Sequence, residues 1–138
     1  MSTTEPGAQA TIRIALRWRD MDMLGHVNQA VYHELLEEGR GALLSSLGDA
    51  GRFPFVLARV ELDYRHEVRH ADGHVDVRTF VERVGRTSIT VGQELALPDG
   101  TVAAAGRSVL VAWDGEARGA RALSDAERRA LTTAAPVP

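Results

Sequence analysis

Residues 17–28 read RWRDMDMLGHVN, so two aspartates, a glycine, a histidine and an asparagine fall within twelve positions. These are groups that can move protons. A carboxylate can attack a carbonyl carbon or take a proton from water, and an imidazole or carboxamide beside it can orient the reactants. Such chemistry also needs a donor for the oxyanion that forms, and the first turn of a helix supplies unpaired N–H groups.

The elements on either side determine where these groups point. Before the cluster, Thr11–Trp18 alternates as a strand, with Ile12, Ile14, Leu16 and Trp18 on one face and Arg13 and Arg17 on the other. Continued a little further, that phase carries Asp20 and Asp22 onto the core-facing side, beside the start of the next element. Asn28 to about Leu47 repeats apolar residues at helical spacing, with Asn28 as N-cap and Gly48 as the stop. An anion near that helix start is favoured by the dipole. The spacing alone equally permits Asp20 or Asp22 to be a cap of the helix or turn. Gly39 and Gly41 weaken the helix, which predicts a close packing partner.

The second half reads as strands over 55–66, 75–84, 87–97 and 101–113, with Pro98-Asp99-Gly100 as a hairpin turn. Ser124 and Glu127 form a capping-box signature for a short terminal helix. The order β–α–β–β–β–β with a terminal helix predicts one α+β domain over 11–133, an antiparallel sheet curled around one long helix. Residues 1–10 and 134–138 read as tails. Exposed sheet edges and a small core predict a homo-oligomer.

Composition narrows the function classes. Of 138 residues, 44% are hydrophobic and 25% charged, the balance of a soluble globular chain. A net charge of −3 disfavours nucleic-acid binding. No apolar run is long enough to span a membrane, and the first residues lack the order of a signal peptide. There is no cysteine, which removes thiolate catalysis and Cys-ligated zinc and is compatible with a reducing, cytoplasmic location. All 16 basic residues are arginine, so Schiff-base chemistry is excluded. An EF-hand reading fails, because Leu24 and Val31 stand where oxygen ligands are required. His66, His70 and His74 lie in a strand-and-turn pattern that spreads them apart, so they read as solvated and not as metal ligands. Gly106-Arg107-Ser108 lacks the second glycine of a nucleophile elbow. The Arg83–Arg86 turn, with Thr87 and Ser88, can contact a phosphate, but taken alone a solvated hairpin explains it better.

Arg17 to Asn28, together with Tyr32, the Glu37…Arg40 pair, Tyr64 and Gly85-Arg86-Thr87-Ser88, resembles the 4-hydroxybenzoyl-CoA thioesterase-like acyl-CoA thioesterases of the hotdog fold. The resemblance covers roughly residues 11–111. It implies an antiparallel sheet wrapped around one long helix, and dimers or tetramers with active sites at the interface. It also implies hydrolysis of an acyl-CoA substrate without metal or other cofactor. The family's catalytic acid falls on Asp22, with His26 and Asn28 in the accompanying G-H-V-N pattern. Val27 and Tyr32 fall on substrate-binding positions, and Arg86 and Ser88 match a segment near the CoA phosphates in relatives. On this reading the amides around Val27–Ala30 polarise the thioester carbonyl. The same surface also fits a non-catalytic acyl-CoA-binding or sensing protein. Two departures stand out: Asp72-Gly73 replaces the family's usual Gly-Asp order, and residues 66–70 replace a commonly Pro-containing segment.

Overall fold

The structure, a computed structural model, describes residues 7–51 and 54–133. β1 (Gln9–Ala15) leads through a short 3₁₀ turn, Trp18–Asp20, into α1 (Gln29–Ser46). β2 (Phe55–Tyr64), β3 (His74–Val84), β4 (Ser88–Ala96), β5 (Val102–Asp114) and the short β6 (Gly119–Ala120) follow, and α2 (Asp125–Thr132) ends the described chain. The strands form one antiparallel sheet in the order β1-β3-β4-β5-β2, with β6 on β5. This is the expected hotdog architecture, although the helix at its centre is a moderate 18 residues.

The helix forms because its apolar residues recur on one side. Tyr32, Leu35, Leu36, Gly39 and Leu43 are all buried, and Asn28 caps the first turn by accepting the Ala30 N–H. That stripe lies against β1, β3 and β4. Alternation on β4 sends Ile89, Val91, Gln93 and Leu95 toward the helix, all of them buried. One apolar cluster gathers around Leu36, Val77 and Leu95, and a second around Leu43, Ile89, Leu110 and Leu131. Between them Arg40 is buried on neutral partners, its Nη1 donating to Gln93 Oε1 at 3.2 Å and Ser108 Oγ at 3.3 Å. Gln93 in turn donates to the Leu36 carbonyl and to Thr79.

β2 lies outside this cover. Leu57 and Tyr64, paired with the buried Leu110 and Ala104, share the sheet's inner face yet remain 47% and 44% exposed. At the other end of the chain the Ser124–Glu127 capping box is present. Arg121 grips Glu127 through both carboxylate oxygens, at 2.8 and 2.9 Å.

Two expectations are corrected. β1 stops at Ala15 instead of running to Trp18, and Trp18 is 78% exposed instead of core-facing. The cause is Asp20: its Oδ2 accepts the Arg17 N–H at 2.8 Å and folds the chain into the 3₁₀ turn. Second, only one of the two helix glycines has a packing partner. A Cβ on Gly39 would lie 2.5 Å from Val77 Cγ1 and 2.8 Å from Thr79 Oγ1, whereas one on Gly41 would meet nothing within 4 Å.

The two glycines therefore separate packing from propensity. Gly41→Ala is expected to stabilise the fold by up to about 1 kcal/mol. Gly39→Ala is expected to destabilise it by about 1–3 kcal/mol, because overpacking outweighs the helix gain. Urea denaturation of both variants checks this, and stabilisation by both would contradict the packing at Gly39.

Candidate active site

The two aspartates part company after the 3₁₀ turn. Asp20 is buried, its side chain 2% exposed, and Arg17 Nη2 and Nε donate to its Oδ1 at 2.8 and 3.1 Å. Burial pushes this carboxyl up, but the Arg17 side-chain and backbone donors outweigh it and hold the group below its ordinary value. The Asp20 carbonyl accepts the Asn28 N–H at 2.9 Å, which ties the strand end to the helix start. Val27 N–H donates to the Val68 carbonyl at 2.7 Å and Met21 bridges Val27, so residues 21–27 close into a loop held on both sides.

Asp22 sits on that loop. Strand phase does not carry it inward, because the strand has already ended; its side chain is 26% exposed. Nor is its carboxylate held by helix amides. Oδ1 accepts the Leu24 N–H at 2.9 Å, and Oδ2 lies 3.3 Å from His26 Nδ1. Gly25, at φ +82°, permits the tight reversal that brings the His26 ring back to Asp22.

The helix start is almost fully paired. Val27 and Asn28 donate to Val68 and Asp20, Ala30 to the Asn28 side chain at 2.9 Å, and Val31 to the Asn28 carbonyl. Among the described residues the Gln29 N–H meets no acceptor. Of the four amides expected at this end, one remains available to a substrate oxygen.

Asp22 borders two clefts, one on each side of the loop. The first, of about 600 Å³, is lined by Asp22, His26, Gln29, Tyr32, Tyr64 and His66, among others. Tyr32 and Tyr64 meet edge to face there, with ring centroids 4.9 Å apart. Burial, with Tyr64 alongside, holds the Tyr32 phenol above its usual range. The second cleft, of about 740 Å³, is bounded by the exposed Trp18, Met23 and Leu24 and by Asn28 and His70. A carboxylate oriented by an imidazole and sharing a cleft with a free amide can hydrolyse an activated carbonyl.

The other expected residues divide. Asp22, His26, Val27 and Tyr32 come together at the first cleft. Asn28 borders the second, its side-chain oxygen occupied as the helix cap. Arg86 and Ser88 do not join them. They lie across the eleven residues of β3, roughly 33 Å at 3.3 Å per residue, beside α2, where the Leu123 N–H donates to the Arg86 carbonyl. His66, read from the pattern as a solvated histidine, is exposed and also lines the first cleft; Gln29 was not singled out. Capping logic carries the signal for Gln29, since an N-cap side chain satisfies an N–H further along and leaves the first one open. His70 and His74 do not join His66, and among the described residues no group of three or more His, Cys, Asp or Glu could hold a metal ion.

Comparison with known proteins places this geometry in context. The family described as the thioesterase-like superfamily matches residues 16–138. A predicted thioesterase from Bacillus stearothermophilus is 28% identical over 89% of this chain and 93% of its own, with a TM-score of 0.77. A thioesterase from Thermus thermophilus, solved with coenzyme A and zinc, is 30% identical over 88% and 95%, with a TM-score of 0.74. A Xanthomonas campestris protein provisionally assigned as an acyl-CoA thioesterase is 33% identical over 81% and 98%, with a TM-score of 0.68. No match was found among curated proteins.

The Asp20 lock has a pH signature. Its depressed carboxyl contributes stability that is complete above the unfolded value, about 4, and is lost as pH falls through the folded one. Asp20→Asn is expected to cost about 1–3 kcal/mol at pH 7 and to flatten the acid limb relative to wild type. Thermal melts between pH 3 and 7 check it, and parallel limbs would contradict the role given to Asp20.

Proposed function

Since the chain belongs to the thioesterase-like superfamily, we propose that it is an acyl-CoA thioesterase, releasing free acid and CoA at the Asp22 loop. The observation that carries this reading is that Asp22 and Gln29 line one cleft, with the Gln29 N–H unpaired among the described residues. The thioester oxygen would accept from Gln29, so that charge developing on it is stabilised by a donor already in place. Asp22 would then act on the carbonyl carbon, either by deprotonating water or by attacking directly to give an anhydride that water opens. In both routes the water oxygen ends in the acid, the C–S bond breaks, and the sulfur takes up the displaced proton. A thiol ionises near pH 8.5, so the thiolate leaves without a strong acid at sulfur, and positioning plus oxyanion stabilisation carry the acceleration. His26, 3.3 Å from Oδ2, would fix the carboxylate's orientation. The Thermus relative bound to coenzyme A supports the choice of thioester.

A second copy of the chain would complete the site. Arg86 and Ser88, on the order of 30 Å from Asp22 within one protomer, can serve the CoA phosphates only from a partner. The uncovered inner face of β2, with Leu57 and Tyr64 exposed and Tyr64 also lining the cleft, supports that surface as the contact.

Asp22→Asn is expected to lose at least a hundredfold in acyl-CoA hydrolysis, read by thiol release, while circular dichroism and melting stay at wild-type values. A folded variant with wild-type turnover would sink the assignment. Leu57→Asp is expected to shift sedimentation toward a monomer and to depress activity with it. An unchanged oligomer would remove β2 from the interface.

A further inference from the structure

Asp22 lines two clefts, and their walls differ in chemistry. The first carries Arg65, His66, Glu67 and the two tyrosines. The second, of about 740 Å³, is walled by Trp18, Met21, Met23 and Leu24, and among the described residues Asp22 is its one carboxylate. Trp18, Met23 and Leu24 are more exposed than any other large apolar side chain among the described residues. A cluster of exposed apolar side chains marks a surface that meets something. This one is also held in place. Trp18 opens the turn that the Asp20 carboxylate closes on the Arg17 N–H. His70 opens a second turn built alike, in which Asp72 Oδ2 accepts the Arg69 N–H at 2.7 Å. The two rings meet edge to face at the cleft wall, with centroids 5.6 Å apart and planes at 87°. An indole fixed in this way and left 78% exposed does little for the fold, because folding hardly removes it from water.

We propose that the second cleft receives the acyl group of the substrate, and that Trp18, Met23 and Leu24 select uncharged, apolar acyl groups longer than acetyl. A thioester extends from its carbonyl carbon in two directions, the acyl chain on one side and sulfur with the thiol arm on the other. A carbonyl held at Asp22, with a cleft on either side, therefore sends one part into each. Polarity decides which. The charged and hydroxyl-bearing walls of the first cleft suit a polar thiol arm, and the apolar walls of the second suit a hydrocarbon. Methionine is unbranched and polarisable, so Met21 and Met23 can follow chains and rings alike. An acyl group ending in a carboxylate would lose hydration against these walls and meet the charge of Asp22, which disfavours it. The exposed β2 face offered to a second copy borders the first cleft through Tyr64 and contributes nothing to the second, which leaves the second to the substrate. The inference rests on the reading that the scissile carbonyl lies at Asp22, and it names the acyl class and the side chains that choose it.

Hydrolysis of acetyl-, octanoyl- and succinyl-CoA, read by thiol release, gives the test. Each methylene taken from water into an open cleft is worth about a twofold gain. Wild type is therefore expected to favour octanoyl- over acetyl-CoA at least about thirtyfold in kcat/KM, and to cleave succinyl-CoA no faster than acetyl-CoA. Trp18→Ala and Met23→Ser are each expected to lower the octanoyl-to-acetyl ratio about five- to tenfold. Both side chains are exposed, so neither substitution removes core packing. A ratio unchanged in both variants would overturn the proposal, as would a wild type that prefers succinyl-CoA. Where the unchanged ratio comes with loss of the wild-type oligomer in sedimentation, the patch belongs to a second copy. A readout without turnover keeps the acyl cleft apart from the hydrolytic reading. A methylene-ketone analogue of octanoyl-CoA is expected to shift Trp18 emission to the blue, taken as the difference between wild type and Trp18→Phe, whereas the acetyl analogue leaves it unchanged. If wild type cleaves no ester yet shows that difference, hydrolysis at Asp22 fails and the acyl cleft stands. The same emission with both analogues overturns the acyl cleft.

Discussion

The site depends on one ion pair, a buried carboxylate met by a half-exposed arginine. Asp20 is out of water, yet it stays charged because Arg17 meets it with both a guanidinium fork and a backbone N–H. A buried carboxylate without such partners would neutralise or force the chain apart. Held in this way, it ends β1 early, turns the chain at Trp18, and lets its own carbonyl take the first N–H of the helix approach. Everything between Met21 and Val27 is then a short loop pinned at both ends, and the loop has nowhere to present Asp22 except outward, between two clefts.

The two carboxylates thus divide the work by environment. Asp20 is locked among fixed donors, whereas Asp22, two residues on, is held by one backbone N–H and an imidazole and keeps a solvent-facing edge. The helix start contributes by what it leaves unpaired. Asn28 spends its side chain on Ala30 and its carbonyl on Val31, so the donor that remains is fixed by capping geometry. A donor fixed by the backbone need not reorganise as charge develops, which is why a fixed amide is worth more than a mobile side chain.

Much of the fold was legible because it rests on local rules. The helix span, its Asn28 cap, the Ser124–Glu127 box and the turn at Asp99-Gly100 all follow from short-range chemistry, and each is present. Trp18 departs from the strand phase, because alternation says nothing about where the Asp20 side chain captures the Arg17 backbone. Strand phase carried both acids inward near the helix start, which holds for Asp20 and not for Asp22. Gly39 and Gly41 look alike in the sequence, and only the third dimension separates them. Arg86 and Ser88 carried a family pattern with no information on distance; β3 sets them at the far end of the sheet. His66 is exposed, as its place just past a strand end suggests, and only the loop across from it puts it on the cleft wall.

The proposed hydrolysis turns on a single contact, the one between a substrate's thioester oxygen and the Gln29 N–H, in the cleft that Asp22 also lines. A crystal structure with a non-hydrolysable acyl-CoA, its sulfur–carbonyl linkage replaced by a methylene ketone, tests that contact directly. The ketone oxygen is expected within hydrogen-bond distance of Gln29 N, with the Asp22 carboxylate next to the carbonyl carbon. A ligand seated elsewhere, or a carbonyl turned away from Gln29 with Asp22 untouched, would contradict it.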